Sequence, residues 1–241
     1  MAGLVKWIDN KFYSKFCNNW DDDLFRELVL RHMKPTDVYL DLGAGRGALP
    51  QMNFKGICKT AYGIDPEEVV KQNPFLDHAY VGLGDSMPFF EDNKFDIIAS
   101  NNVLEHLEYP ANFFAEVKRV LKPGGILITK TPNKNYFIML LSGLMPTWMH
   151  KGYNKLRGRP EFDTFPTFYR ANTAGAQKRL AKTSNLTVKE CFYVEGRPEY
   201  LRITPITYLF GLMYERLVNF FNVQPMKIVI YSVFQKPDES K

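Results

Sequence analysis

Residues 36–49 read TDVYLDLGAGRGAL and predict a buried β-strand that runs into a glycine-rich turn. The apolar run 38–40 forms the strand, and Asp41 marks its carboxyl end. Glycine occupies every second position of the turn, at Gly43, Gly45 and Gly47. Glycine permits positive φ angles and lets a ligand approach the main chain closely. We expect a helix after the turn with its free N–H groups directed at that ligand, so the stretch predicts a nucleotide-binding corner.

The turn alone is compatible with two cofactors. The letters GAGRGA formally match the dinucleotide fingerprint G-x-G-x-x-G/A, and Asp65 lies at the spacing expected of a ribose-binding acid. However, Asp41 precedes the first glycine by two residues, where a carboxylate would repel a pyrophosphate and attract an ammonium group. The turn has no lysine of the P-loop kind, which argues against nucleoside triphosphates.

Composition indicates one globular α/β domain. The chain has 241 residues, of which 45% are hydrophobic and 24% charged. A net charge of +5 permits anionic partners without requiring nucleic acid. The three cysteines are far apart and lack C-x-x-C spacing, so we expect reduced thiols and no metal site. Without a signal-peptide core or an apolar run of about 18 residues, we expect a cytoplasmic enzyme.

The spacing of apolar segments predicts strands that alternate with helices. Strands are predicted at about 37–42, 60–65, 78–82, 95–100, 126–131, 186–194 and 226–234. Helices are predicted within 1–34, from Pro110, over 173–183 and from Pro205 to about 222. This alternation is typical of a doubly wound, parallel α/β sheet.

Several motifs in order resemble the class I S-adenosylmethionine-dependent methyltransferases. They are Asp41–Gly47, Asp65, Gly84-Asp85-Ser86, Ser100–Leu107 and Lys122-Pro-Gly-Gly125, and they cover about 36–131. The resemblance implies a Rossmann-like fold, with a mostly parallel sheet, an antiparallel last strand and helices on both faces. It also implies S-adenosylmethionine as cofactor.

The resemblance implies a role for each motif residue. Asp41 would bind the methionyl ammonium group, and the turn Gly43–Gly47 would pass close under the cofactor. Asp65 would accept hydrogen bonds from both ribose hydroxyls. The remaining implied contacts are those of Asp85 and Ser86 with adenine, and that of Asn101 with the sulfonium end.

We expect one domain over 1–241 with three parts. Residues 1–35 form N-terminal helices or a lid, 36–131 form the cofactor-binding core, and 132–171 and 197–225 are substrate-side insertions. His106 and His150 are candidate general bases, because alkylation of a hydroxyl benefits from a proton acceptor. In some relatives a histidine near the position of His106 acts as base, and in others it packs against the fold.

The insertions carry the clue to the acceptor. The segment 136–149 is apolar, and the charged residues over 130–160 are all cations. Together with the apolar helix 205–222, this pattern fits a peripheral membrane contact, or a lid over a substrate with an apolar part and a phosphate. In the alternative, the two segments bury each other or form a homodimer interface.

The acceptor expected from these features is a hydroxyl of a small molecule or glycan, including lipid- or phosphate-linked ones. The first alternative is a quinone or other isoprenoid ring at the membrane surface, and the second is a non-catalytic S-adenosylmethionine-binding module. Ser100-Asn-Asn-Val103 differs from the Asn/Asp-Pro-Pro-aromatic motif of enzymes that methylate base amines, so we expect no nucleic acid partner.

Overall fold

The computed structural model describes residues 2–14, 19–142 and 165–238. His150 and the second half of the apolar segment 136–149, residues 143–149, therefore lie outside the described residues. The helices are α1 (Ala2–Phe12), α2 (Trp20–His32), α3 (Pro110–Val120), α4 (Phe137–Ser142), α5 (Ala174–Thr183) and α6 (Pro205–Phe220). The strands are β1 (Val38–Leu42), β2 (Thr60–Asp65), β3 (His78–Val81), β4 (Phe95–Asn101), β5 (Leu121–Pro132), β6 (Thr187–Val194) and β7 (Val229–Gln235).

The chain divides into two compact units. The sheet unit comprises 22–132, 167–192 and 230–241, and the helical unit comprises 1–21, 133–166 and 193–229. None of the helices in the described parts of the chain is long and apolar enough to cross a membrane.

The sheet has seven strands in the order β3-β2-β1-β4-β5-β7-β6. The pairs from β3 to β5 are parallel, and Asp41 of β1 lies opposite Gly63 of β2 and Ala99 of β4. Strand β7 runs antiparallel to β5, because the main chain of Lys236 bonds to Gly125 at one end and Ile228 bonds to Asn133 at the other. The predicted mostly parallel sheet with an antiparallel last strand is confirmed. The strand order reverses between β1 and β4, and ligands of such sheets bind outside the carboxyl ends at that point.

Helix α3 supplies part of the core of the sheet unit. It begins at Pro110, whose fixed φ and missing N–H suit the first helical turn, as predicted. Its buried stripe consists of Phe113, Phe114, Val117 and Val120. Each fully buried side chain of this kind contributes about 1.5–3 kcal/mol relative to its exposed state, so the stripe holds α3 in the core.

Two local predictions are wrong. The segment after the glycine turn is a three-residue 3-10 helix, Pro50–Met52, and Pro50 has no N–H to direct at a ligand. Lys122-Pro-Gly-Gly125 does not precede the fifth strand but forms a bulge within it. The register jumps from Phe95–Leu121 to Ile97–Ile126, and Gly124 adopts a φ of 75°.

The helical unit centres on α1 and α6. Ile8, Tyr13 and Tyr208 form a small apolar cluster, in which the two tyrosine rings stack. Asp9 is buried beside them and accepts a 2.6 Å hydrogen bond from the Tyr208 hydroxyl. Thr204 caps α6 by accepting from the Thr207 N–H, and Pro205 takes the first helical position, as predicted.

Candidate active site

The glycine turn, Gly43–Gly47, begins where β1 ends. The N–H groups of Gly43 and Ala44 both donate to the Ile64 carbonyl of β2, at 2.9 and 3.1 Å, which ties the turn to the neighbouring strand. All three glycines have positive φ. A Cβ at Gly43 would clash with Val103, whereas a Cβ at Gly45 would meet no atom within 4 Å. The turn is therefore packed on the protein at Gly43 and open to a ligand at Gly45.

The side chain of Asn73 bonds to the main chain of the glycine turn. Its Nδ2 donates to the carbonyls of Ala44 and Gly45, at 2.9 and 3.3 Å, and its Oδ1 accepts from the Phe75 N–H at 2.9 Å. Asn73 is buried. The sequence marks this residue only by the turn dipeptide Asn73-Pro74, so its contact with the glycine turn was not predicted.

A cavity of about 160 Å³ lies against the turn. It is lined by Asp41, Gly43–Leu49, Met52, Asn73, Phe75 and Asn101. Pockets for whole small-molecule ligands typically measure about 300–1,000 Å³. This cavity therefore suits one end of a nucleotide cofactor, with the rest along the open edge of the sheet.

Asp41 presents a buried carboxyl group to this cavity. The residue is 3% exposed. Burial, and secondarily the charge of Asp65, raises the pKa of Asp41 to about 8. The group is thus mostly protonated at neutral pH, and a cation in the cavity would stabilise its ionised form. Binding of a positively charged ligand end would therefore be coupled to loss of the Asp41 proton.

Asp65 lies at the end of β2 and is half-buried. One carboxylate oxygen accepts from the Gly45 N–H at 2.9 Å, and the other accepts from the Glu67 N–H at 3.0 Å. Asp65 does not line the cavity. Each carboxylate oxygen can accept a second hydrogen bond, so both oxygens retain acceptor capacity after these two contacts.

Asn101 connects the cavity to a buried ion pair. Its Nδ2 donates to Asp22 Oδ1 at 2.8 Å, and Lys130 Nζ donates to the same oxygen at 2.5 Å. Lys130 is fully buried. The Asn101 Oδ1 is buried and has no partner in the described structure. Because Asp22 fixes the amide orientation, the Oδ1 of this cavity-lining residue keeps unused acceptor capacity.

A second polar group lies beside Lys130. Glu105 is buried and accepts a 2.8 Å hydrogen bond from the Thr131 hydroxyl, to which Asn172 Nδ2 donates at 2.6 Å. Burial raises the pKa of Glu105, although its hydrogen bonds and the charges of His106 and Lys130 oppose the shift. We define the buried polar network as Asp22, Asn101, Glu105, Lys130, Thr131 and Asn172.

The other predicted site residues lie apart from the cavity wall. Asp85 is half-buried and Ser86 is exposed, in the loop after β3 where the Ser86 N–H donates to the Leu83 carbonyl at 3.2 Å. His106 is half-buried in the 3-10 helix Leu104–His106, directly after Glu105. The cavity wall thus unites Asp41, the glycine turn and Asn101, and it does not include Asp65, Asp85, Ser86 or His106.

The glycine turn, the buried carboxyl group and the strand order agree with a comparison against known families. A family model described as a methyltransferase domain matches residues 40–129. The chain carries a class I S-adenosylmethionine-dependent methyltransferase domain. S-adenosylmethionine is the cofactor of this domain, as the motifs predict. The buried Asp41 suits the ammonium group of that cofactor, and the open face of Gly45 leaves room for it.

Two methyltransferases are related in sequence. A thiol S-methyltransferase of Rattus norvegicus is 30% identical over 125 residues, which are 47% of this chain and 51% of that protein. A 2-methyl-6-phytyl-1,4-hydroquinone methyltransferase of Synechocystis sp. is 27% identical over 144 residues, 54% of this chain and 45% of that protein. The chain spans about half the length of these curated relatives.

A likeness to a solved structure extends over most of the chain. The geranyl diphosphate C-methyltransferase of Streptomyces coelicolor, solved with S-adenosylhomocysteine, has a TM-score of 0.56 and 15% identity. The likeness covers 88% of this chain and 76% of that one. It shows that the two chains share the methyltransferase fold.

Proposed function

We propose that this chain transfers a methyl group from S-adenosylmethionine to a hydroxyl of a small molecule or glycan. The observation that carries the proposal is the buried carboxyl group of Asp41 at the wall of the cavity beside the glycine turn. A protonated carboxyl group in that position becomes a strong partner for an ammonium group once it ionises, since charge-assisted hydrogen bonds are the stronger kind.

The cofactor would be held along the carboxyl ends of β1, β2, β3 and β4. Asp41 binds the ammonium group, and Asp65 uses its remaining acceptor capacity for the ribose hydroxyls. The loop with Asp85 and Ser86 receives the adenine, and the Asn101 Oδ1 faces the sulfonium end. When bound, S-adenosylmethionine supplies an electrophilic methyl group on a sulfonium.

The acceptor hydroxyl needs a group that takes its proton. His106 lies just beyond the carboxyl end of β4, and its imidazole is the proposed general base. Glu105 precedes it and is buried against Thr131. Glu105 is a positioning residue in this proposal, because its backbone carbonyl also accepts from the Phe168 and Tyr169 N–H groups and so fixes the segment that carries His106.

A hydroquinone ring is the second candidate acceptor. The observation in its favour is the match to the Synechocystis hydroquinone methyltransferase, which extends over 54% of this chain. An attack through a ring carbon does not require the same base as an attack through oxygen. The two candidates therefore predict different results for His106→Ala.

The test is transfer of labelled methyl groups to three acceptor sets: hydroxylated small molecules and glycans, hydroquinones, and thiols. We expect label on hydroxyl oxygen and a loss of about 100-fold in His106→Ala, within the usual contribution of a general base. His78→Ala is the matched control, because His78 is exposed on β3 and away from the cavity. Label on a ring carbon or on sulfur contradicts the hydroxyl acceptor, and cofactor binding without transfer to any fraction of a cell extract contradicts the enzyme.

A further inference from the structure

Helix α6 of the helical unit exposes an apolar stripe. Its members are Ile206, Leu209, Phe210, Met213, Leu217 and Phe220. They occupy positions i, i+3, i+4, i+7, i+11 and i+14, which lie on one face of the helix. Phe210 is 64% exposed and Phe220 is 82% exposed. A contiguous apolar stripe of this kind differs from the single exposed apolar side chains that are common on protein surfaces.

The opposite face of α6 is fixed within the helical unit. Tyr208, Glu215 and Val218 are buried. The Tyr208 hydroxyl donates to Asp9, and the Tyr13 hydroxyl donates to Glu215 at 3.0 Å. A rotation of α6 that buried the apolar stripe would break both hydrogen bonds. The buried carboxyl groups of Asp9 and Glu215 would each lose a tyrosine donor. The stripe is therefore a stable surface of the unit.

The exposed charges of the helical unit have one sign. Among the described residues of the helical unit, every exposed charged residue is a cation: Lys6, Lys11, Lys134 and Arg216. The acidic residues Asp9, Glu195 and Glu215 are buried, and Asp21 and Glu199 are half-buried. Lys11 also lies over the exposed ring of Trp7, 4.7 Å from its centroid.

We propose that the apolar stripe of α6 docks the protein on an anionic membrane surface. An interfacial helix combines an apolar face with cations, and aromatic side chains are favoured at the level of the lipid headgroups. The stripe extends over 15 residues, from Ile206 to Phe220, or roughly 22 Å, so the helix would lie in the plane of the membrane. A second copy of the chain fits less well, because a two-fold contact would bring equal cationic surroundings together.

The experiment is flotation of the full chain with vesicles of phosphatidylcholine alone and of phosphatidylcholine with phosphatidylglycerol. We expect binding to the anionic vesicles and at least about tenfold weaker partition of the double variant Phe210→Gln/Phe220→Gln, since two phenyl groups leave the membrane. Arg216→Gln should weaken binding to anionic vesicles by up to about fivefold, with little effect on neutral ones. Tyr109→Gln is the control, because Tyr109 is an exposed aromatic residue of the sheet unit.

Circular dichroism and cofactor binding show whether each variant is folded. Equal partition of the double variant and the wild type would overturn the proposal, and so would an absence of wild-type binding to anionic vesicles. A concentration-dependent dimer that the double variant abolishes, without vesicle binding, would assign the stripe to a second copy and would also overturn it. None of these outcomes depends on methyl transfer.

Discussion

The glycine turn and the buried polar network both lie at the carboxyl ends of strands in the sheet unit, but they are built differently. The turn is a continuous segment, and the side chain that meets it from β2, Asp65, is 20 residues from Gly45. The network joins residues from distant segments, and its central ion pair links positions 108 residues apart. The turn relies on main-chain geometry, whereas the network relies on charged and polar side chains that are mostly buried.

This difference separates what each region does. Main-chain groups of the turn suit a cofactor that many proteins share. The network holds Asn101 and the segment 104–106 in place, and this segment carries His106, the proposed general base.

The largest effect is expected from breaking the buried ion pair. Lys130→Met leaves the Asp22 carboxylate buried without its main cationic partner, which typically costs about 3–5 kcal/mol of unfolding free energy. Chemical denaturation measures this loss. Asp22→Asn/Lys130→Met removes both charges and should recover most of it.

The exposed pair of Lys71 and Glu68 is the control for the ion pair, with side chains 57% and 79% exposed. Lys71→Met should change the unfolding free energy by no more than about 0.5 kcal/mol. Equal effects at Lys71 and Lys130 would show that the network contributes no more than a surface ion pair.

The next effect separates two glycines of the turn. Gly43→Ala introduces a Cβ that clashes with Val103 at a φ of 80°, so we expect a loss of about 2–4 kcal/mol. Gly45 has a φ of 49°, and a Cβ there would meet no atom within 4 Å. For Gly45→Ala we therefore expect only about 1 kcal/mol of backbone strain, together with weaker cofactor binding. Thermal unfolding and a binding titration measure the two effects. A less stable Gly45→Ala than Gly43→Ala would contradict the assignment of the open face.

The effect of pH is smaller within any one pH unit. The pKa of Asp41 in the folded protein is about 8, above its usual value of 3.8. Between pH 3.8 and pH 8, the folded protein therefore keeps a proton on Asp41 that the unfolded chain loses. Unfolding free energy should therefore fall as pH rises through this window, with a slope approaching 1.4 kcal/mol per pH unit. Asp41→Asn should remove this part of the slope, as urea denaturation from pH 5 to pH 8 would show. Parallel pH profiles of the two proteins would contradict the buried protonated carboxyl group.

Much of the fold was predictable because its signals are local. The strand ends at Asp65 and near Asn101, and the helix starts at Pro110 and Pro205, follow from apolar runs and from residues with fixed backbone preferences. The prediction of a helix after Gly47 was wrong because Pro50 follows the turn closely and only a 3-10 helix forms there. The bulge at Gly124 was not predicted for another reason. Whether a glycine turn precedes a strand or interrupts it depends on the pairing of that strand with β4 and β7.

The site was predictable on its cofactor side and not on its network side. Asp41 and Asn101 follow strands whose ends the sequence marks, so their place at the cavity could be anticipated. Asp22 lies on a helix before the first strand, and Lys130 lies within an apolar strand. Nothing in either segment indicates that the two side chains meet, because their contact depends on the tertiary fold. Asn172 reaches Thr131 across 41 residues for the same reason.

The most direct test of the account is calorimetry with S-adenosylmethionine near pH 7, in two buffers of different ionisation enthalpy, on the wild type and on Asp41→Asn. The account predicts that wild-type Asp41 loses its proton as the ammonium group binds. The wild type should therefore release close to one proton more than the variant, and should bind about 10- to 100-fold more tightly. Equal affinity and equal proton release in the two proteins, or no binding to the wild type, would contradict it.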